Sequence, residues 1–562
     1  MRVHLTVLLV CFWLSGCVDA RTATPVAGPM LDALEARLAR TTPPLATHLS
    51  PVGLYWEDGV LWTWGHAATR QHGLVDGQVV RQREGPAYTR ACSVGPARTV
   101  CVGDSVIAVR GELPMKLPDH RGWRGVVDGR SGLALLDGTD ELLRLEGAPP
   151  LATGPTPLAM GPLDSGRIWL SSGQAPFLTI INPALRTVRA APGLVAPIRA
   201  ATWDASRSLL WTVGPANRLV RRDTGPIKGL WSQAVARDSD LKVVRRIDLR
   251  QQGLVDATAI VSAGGRIAIS ATGSDAFWLE GVGRVPTGLG PHGLLVHDGQ
   301  LAIAARLEDA IRIHRFDSGR LVSRVDLDDR PRAAPADLGQ RLFFGDFLWR
   351  LPTGQGMTCA SCHWDAGTDH RVHPGFHQRR EEATRPLGGI RDVLPIFSTG
   401  GALSLRAAVE GLFRSLDPRL WSGGGRYWDY DISMSVKGNR RVTLSAAQAR
   451  AALLEYLMRL PRRAPARSTG DPLGRTLFAR DCADCHEPVS RSRPRGFAHS
   501  DLGPDITPNG NRLTPLLDLG RGGPFGVAGN VPTLDALLQR HPKAADYSPA
   551  QRRALRRYLL TL

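Results

Sequence analysis

The chain has 562 residues, 43% of them apolar, and a formal net charge of +18. That length is two to four domains rather than one, and the apolar content is enough for true cores, which excludes a disordered chain or a single small module. The charge reads as arginine-rich composition spread over solvated faces, with attraction to acidic partners or anionic lipid head groups as the functional alternative; no interleaved basic–aromatic stripe accompanies it, so nucleic acid is not expected as a partner.

Arg2 opens the chain, followed by an apolar run from Val3 to Leu14, broken by His4 and Thr6, and then Leu14-Ser15-Gly16-Cys17. A basic start, a short apolar core and small residues at the cut predict a signal peptide over 1–16. The run is too short to span a bilayer. A Cys directly after Ser-Gly resembles the bacterial lipobox, in which the cysteine, here Cys17, is acylated; the alternative is a free Cys beside an ordinary cleavage site. The expected location is therefore exported, lipid-anchored at the membrane and facing the periplasm, with 17–50 as lipidated N-terminus and linker.

From 51 to 330 short apolar strands recur, each opened by a Gly, Asp or Ser turn. They include Gly59-Val60-Leu61-Trp62, Ser105-Val106-Ile107-Ala108, Gly132-Leu133-Ala134-Leu135 and Gly166-Arg167-Ile168-Trp169. Ser208-Leu209-Leu210-Trp211, Gly265-Arg266-Ile267-Ala268 and Gly299-Gln300-Leu301-Ala302 continue the series. Leu61 to Leu301 is 240 residues in six intervals, a mean of 40, the length of one four-stranded propeller blade. An all-β propeller of about seven blades is predicted. The copies 157–188 and 291–325 resemble the YVTN/lactonase-like propeller repeats of bacteria, but no Glu-Asn-Asp-Asp calcium set of the lactonase kind stands out. His66, His72, His292, His297 and His314 are scattered through the units and read as strand or turn histidines satisfied by neighbours. The expected role of this part is a docking platform.

Beyond the linker Asp328 to Pro335 the pattern becomes helical and is duplicated. Leu338-Gly339-Gln340-Arg341-Leu342-Phe343 precedes Cys359-Ala360-Ser361-Cys362-His363, and Leu473-Gly474-Arg475-Thr476-Leu477-Phe478 precedes Cys482-Ala483-Asp484-Cys485-His486. Each unit closes alike, with Ser445 and Gln448, then Ser548 and Gln551, at capping-box spacing ahead of an amphipathic helix. Two Cys separated by two residues and followed by His is the attachment signature of c-type haem, the thiols adding to the vinyl groups and the His binding iron. A redox dithiol or half a zinc site is the alternative reading of each motif. Two covalently bound haem c groups are therefore expected, in two class-I-like cytochrome modules at 336–461 and 472–562. Of the 8 cysteines, Cys11 leaves with the signal, Cys17 takes lipid and Cys359, Cys362, Cys482 and Cys485 take haem. Cys92 and Cys101, flanking a Gly95-Pro96 turn, are left as a disulfide in an oxidising compartment, over free buried thiols.

This half resembles the bacterial di-haem cytochrome c peroxidase family through Leu342-Phe343-Phe344, Gly356-Met357-Thr358 ahead of the first motif, Thr368-Asp369, Arg385-Pro386-Leu387 and Pro532-Thr533-Leu534. The resemblance implies a first haem that meets peroxide, a second that receives electrons, and His363 and His486 as proximal ligands. Arg385 is the candidate cation for cleaving peroxide and Glu410 the candidate acid–base group. Near the first haem, His370, His373 and His377 cluster, with His373 a candidate displaceable ligand. Where the family has Phe-Trp-Asp-Gly-Arg this chain has Phe397-Ser398-Thr399-Gly400-Gly401. Where it has a ligating Met, this chain has Pro524-Phe525-Gly526, and no Met follows Met458. His499, His541 and Tyr547 are the candidates to replace it, His499 foremost. The expected activity is peroxidase-type oxidoreduction fed by a small redox protein or quinol-linked donor, with a non-catalytic electron-transfer cytochrome or scaffold as the alternative.

Overall fold

Tight turns set the architecture of the first half. At Asp58-Gly59, Gly264-Gly265 and Asp298-Gly299 both residues have positive φ, between 46° and 76°. That pair of left-handed residues makes the two-residue hairpin turn whose twist matches its strands, and Glu57↔Val60, Ala263↔Arg266 and His297↔Gln300 close the three turns. The computed structural model describes residues from 51 onward, apart from short loop pieces and the longer stretches 349–355, 375–380, 397–401, 417–430, 461–470 and 487–515. The signal peptide, Cys17, the linker to 50, His66, His377 and His499 lie outside the described residues.

Seven antiparallel sheets follow one another along the chain, at 51–84, 91–110, 123–152, 157–191, 200–248, 257–286 and 291–326. The first strand of each touches the first strand of the next, and the strand Pro291–His297 of the last returns to Pro51–Glu57 of the first. This is a closed seven-bladed β-propeller with first strands around the axis and fourth strands at the rim. Closure uses no shared sheet: His292 Nδ1 donates to Val52 O at 3.0 Å. A Cβ on Gly293 would lie 2.6 Å from that same oxygen, so the two blades meet backbone to backbone.

Position in the blade explains the repeat. Second strands, such as Val60–Gly65 and Ile168–Ser172, are buried along their whole length because a neighbouring blade covers each face, and so they read as continuous apolar runs. Rim strands such as Gln78–Glu84 are exposed. Six of the seven sequence runs form second strands, whereas Val106–Arg110 is the third strand of the second blade, which has only three among the described residues. In that blade Cys92 and Cys101 are cross-strand partners joined as a disulfide. The scattered histidines have local partners: His314 binds Thr287 and Gly319 O, and His297 stacks on Trp56 at 4.1 Å.

The remaining chain supplies helices α1 (Pro335–Phe344), α2 (Leu405–Leu416), α3 (Ala446–Met458), α4 (Pro472–Asp481), α5 (Ala483–His486), α6 (Leu534–Arg540) and α7 (Pro549–Leu559). Helix α1 lies on α3, and α4 on α7. Among the described residues no helix is long and apolar enough to cross a membrane. This half docks on one face of the propeller, where Leu230, Leu289 and Leu307 join the core of Phe343, Phe344 and Met357. Arg306, only 1% exposed, ion-pairs with Asp365 and lays its guanidinium 4.1 Å from the Phe344 ring centre. Arg341 binds Asp275, and Lys437 lies 3.8 Å from Asp309.

Burial at this junction pushes the His292 imidazole down to about 4, with Arg306 and Arg199 adding to the fall and Asp365 opposing it. An unfolded histidine titrates near 6.5, so between about pH 6.5 and 4 the unfolded chain takes up a proton that the folded one refuses. Stability must fall with pH across that window and level off below it, by on the order of a few kcal/mol for this one site. Replacing His292 by Gln should flatten the loss of urea stability between pH 7 and pH 4.5; parallel losses in wild type and variant would remove His292 from the account.

Candidate functional site

Both Cys-x-x-Cys-His motifs sit on one turn of helix after a longer helix. In the first, Thr358 and Ser361 form a reciprocal cap, Ser361 Oγ accepting from the Thr358 amide at 3.0 Å. The His363 amide donates to Cys359 O at 2.9 Å. Residues 359, 362 and 363 are thereby spaced at i, i+3 and i+4 on one face of the turn. In the second, the His486 amide donates to Cys482 O at 2.9 Å and the Cys485 amide to the same oxygen at 3.2 Å. All four cysteines are free thiols. Burial pushes Cys359 up to about 12 and Cys482 to about 11, and raises Cys362 as well.

His363 Nδ1 lies 2.9 Å from Arg385 O and 3.3 Å from Gly367 O. Carbonyls only accept, so Nδ1 carries the hydrogen and Nε2 keeps its lone pair for a metal. Burial lowers the pKa of this imidazole and keeps it neutral, as a ligand must be. His486 is pushed down to about 4, first by burial and then by nearby His541.

The helix pairs behind the motifs match contact for contact. A Cβ on Gly339 would fall 1.9 Å from Ala452 O, and one on Gly474 would fall 2.1 Å from Ala554 O. Phe343 meets Tyr456 with ring centres 5.2 Å apart, and Phe478 meets Tyr558 at 5.3 Å. Ser445 and Ser548 cap α3 and α7 through the two capping boxes. A further correspondence went unseen in the sequence. Isolated bridges Ile396↔Ala402 and Phe525↔Val531 close loops of equal length, each followed by a capping hydroxyl: Ser404 Oγ accepts from the Ala407 amide at 3.1 Å, Thr533 Oγ1 from the Ala536 amide at 3.0 Å. The signal was present as Pro-Ile and Pro-Phe six residues ahead of Ala-x-Ser-Leu and Val-x-Thr-Leu.

The other candidates fall in different places. His373 Nε2 is 2.7 Å from Asp369 Oδ2, both residues buried. Burial works against the Asp369 charge, yet His373 and Arg371 hold its pKa below the ordinary value. His370 Nδ1 donates to Gly523 O at 2.8 Å, across to the second module. Arg385 accepts from His363 through its carbonyl, on the side of the ring away from Nε2, while its guanidinium donates to Gly526 O at 2.5 Å. Its carbonyl and its guanidinium thus serve different partners, His363 and Gly526. Glu410, on α2, pairs with Arg406 at 2.9 Å, one helical turn back; no described contact brings it to Arg385 or His363. Tyr547 donates to Asp481, and His541 Nδ1 accepts from the Lys543 amide at 3.3 Å.

Cys362, Asp369 and His373 bring their ligand atoms within 4.8 Å of one another. A structural zinc site takes four ligands with thiolate sulfur. Among the described residues there are three, the Cys362 thiol pKa is raised, and Asp369 and His373 share a hydrogen bond, so the group fits a resident divalent metal poorly. The donor set of each motif, two free thiols and one neutral histidine, fits haem c.

The propeller adds residues that the sequence did not single out. Arg199 lies 5.2 Å from the Trp364 ring centre and 2.5 Å from Asp256, in a small cavity that Trp231, Ser232 and Ser361 also line.

No protein-family model matches this chain, and no curated protein matches it. Solved structures similar to it include a virginiamycin B lyase from Staphylococcus aureus bound to quinupristin, at 11% identity and a TM-score of 0.36, covering 47% of this chain and 95% of the other. A nidogen/laminin complex matches at 11% and 0.30, covering 49% and 92%. Kuenenia stuttgartiensis hydrazine synthase matches at 11% and 0.30, covering 51% and 89%. The propeller assignment rests on the strand topology and not on these likenesses.

Replacing Gly339 or Gly474 by Ala should each lower the melting temperature, by about 1–3 kcal/mol of stability. Gly129→Ala, where the added methyl meets only Val127 Cγ1 at 4.0 Å, is the control. Equal thermal shifts for all three variants would mean that the helix crossings do not depend on these glycines.

Proposed function

We propose that this chain is an exported, lipid-anchored di-haem c-type cytochrome with peroxidase-type oxidoreductase activity, its electrons entering at the second haem and passing to the first. The observation that carries the reading is the duplicated module: two free-thiol Cys-x-x-Cys-His turns, each set behind the same glycine-mediated helix crossing, with His363 oriented to offer Nε2. Cys359 and Cys362 would hold one group by thioether bonds and His363 its iron; Cys482, Cys485 and His486 would hold the other. Haem so bound supplies one-electron redox chemistry and an iron at which peroxide is reduced, two electrons and two protons turning one hydrogen peroxide into two waters.

The chain's own residues have separate duties in this reading. Arg385 O and Gly367 O fix the tautomer and plane of His363. The Leu230, Leu289 and Leu307 side chains with Arg306 cover the first module and keep water from its core. Asp369 holds a proton in place on His373 Nε2. The propeller serves as a docking platform for a small redox protein or a quinol-linked donor.

A second reading, an electron carrier without substrate turnover, is favoured by Gly526 standing where the resembled family has a ligating Met and by the altered stretch from Phe397 to Gly401. Purified holoprotein decides between them. Two covalent haems per chain by pyridine haemochrome, with a high-spin fraction and peroxide-dependent oxidation of a reduced cytochrome, are expected. Two low-spin haems unchanged by peroxide would leave the carrier, and absence of a Soret band would reject both.

A further inference from the structure

Three blades bring an ionisable residue to the same end of the propeller axis, where their first strands begin. Arg199 stands before Ala200–Asp204, Asp256 before Ala257–Ala263, and His292 second in Pro291–His297. That end is the one the first module covers. Ser361 and Trp364, which bracket Cys362 and His363, line one cavity with Arg199, Asp256 and Ser232. Arg306 and Asp365 pair with each other beside it, and His292 Nε2 lies 3.8 Å from Asp365 Oδ1.

Asp256 is the member of this cluster with a place left open. It is 5% exposed, and Arg199 Nη1 donates to its Oδ1 at 2.5 Å. The other oxygen, Oδ2, is buried with no hydrogen-bond partner among the described residues. Leaving a carboxylate oxygen desolvated and unpaired is costly. A proton on Oδ2 removes that cost and leaves the Arg199 contact on Oδ1 intact. The backbone around the group is fixed, since Asp256 O accepts from the Thr272 amide at 3.0 Å and Ser232 Oγ from the Ala257 amide at 3.3 Å. Burial pushes the Asp256 pKa above the ordinary value, with Arg199 opposing, Asp365 adding and Arg306 opposing.

The charges that face Asp256 come from three elements: Arg199 from the fifth blade, Arg306 and His292 from the seventh, and Asp365 from the first module. His292, pushed down to about 4 by burial, is neutral near pH 7. With Asp256 ionised the two arginines and two carboxylates cancel; with Asp256 protonated the cluster carries one positive charge. An iron that accepts an electron loses one. The field of Asp256 reaches the motif, because the Cys362 thiol, raised first by burial, is raised further by this carboxylate among other charges.

We propose that Asp256 takes up the proton that balances the electron received at the first haem, which makes the propeller part of the redox site as well as its platform. The inference rests on the haem reading above. The electron is supplied by the small redox protein or quinol-linked donor. The proton comes from solvent at the cavity, where Trp231 and Trp364 are both partly exposed, and binds Oδ2; no other bond forms or breaks, and reoxidation returns both.

The test uses the full-length holoprotein in a spectroelectrochemical titration repeated from about pH 5 to pH 8, a range in which His292 stays largely neutral. The potential of the His363 haem should fall as pH rises between the Asp256 pKa of the oxidised and of the reduced protein. The slope there should approach one proton per electron, a tenfold change in the reduction constant per pH unit, or 59 mV. Asp256→Asn keeps an acceptor for Arg199 and removes the proton site; it should cut this pH dependence at least by half and leave that of the His486 haem unchanged. Arg199→Gln removes the cation that opposes protonation, and should move the same slope to higher pH without abolishing it. Reduced-minus-oxidised infrared spectra should show a carboxylic acid band in wild type that Asp256→Asn lacks. An undiminished slope in Asp256→Asn with both haems attached, or no such band in wild type, would overturn the proposal. Lack of covalent haem would instead overturn the reading beneath it, and the visible spectrum separates the two failures.

Discussion

Everything in the C-terminal half hangs on two glycines inside helices. Glycine in a helix interior costs about 1 kcal/mol against alanine, so its presence at matched positions in α1 and α4 runs against local preference. The compensation is contact: Gly339 and Gly474 let α3 and α7 approach until a methyl group would lie about 2 Å from a carbonyl oxygen. That closeness brings Phe343 to Tyr456 and Phe478 to Tyr558, and it fixes the direction in which each chain enters its Cys-x-x-Cys-His turn. The same local sacrifice made twice is the strongest internal sign that the modules are two copies of one design.

The propeller is more than a neighbour of this design. Its second-to-third-strand connections supply Arg306, Asp275 and Asp309, and each meets a charge from the helical half. Buried ion pairs contribute little net stability, because desolvation offsets attraction, but they are costly to break singly. Burial of apolar area contributes more: the three leucines that enter the helical core are each worth about 2 kcal/mol when fully buried. Apolar contact therefore supplies the adhesion, and the charges set the register. Arg306, stacked on Phe344 and paired with Asp365 two residues past His363, places the propeller directly behind the first motif.

The division of labour explains what could be read from the sequence. Blades were legible because a fully covered second strand must be apolar throughout and its preceding turn must take positive φ. In the second blade the recurring run is the third strand and not the second, because Thr99–Val102 carries a Cys and a Thr in the place of an unbroken aliphatic run. The paired motifs and the Gly-Phe and Tyr positions were legible because they recur. The contacts of Arg385 were not legible for the opposite reason. Its partner in space, Gly526, is a glycine carbonyl far along the chain, and a backbone acceptor leaves no mark in side-chain pattern. The Arg199–Asp256 pair was hidden likewise, since a single long-range polar contact has no period.

Gly526 stands where the resembled family has a ligating methionine. Its φ of +75° is a conformation that ordinary side chains avoid, and it is this conformation that accompanies delivery of the Gly526 carbonyl to Arg385. A side chain at 526 would be disfavoured in this conformation, and its Cβ would lie 2.7 Å from Asn530 Oδ1. The residue that makes this contact with the first module is therefore one whose side chain could hold nothing in the second.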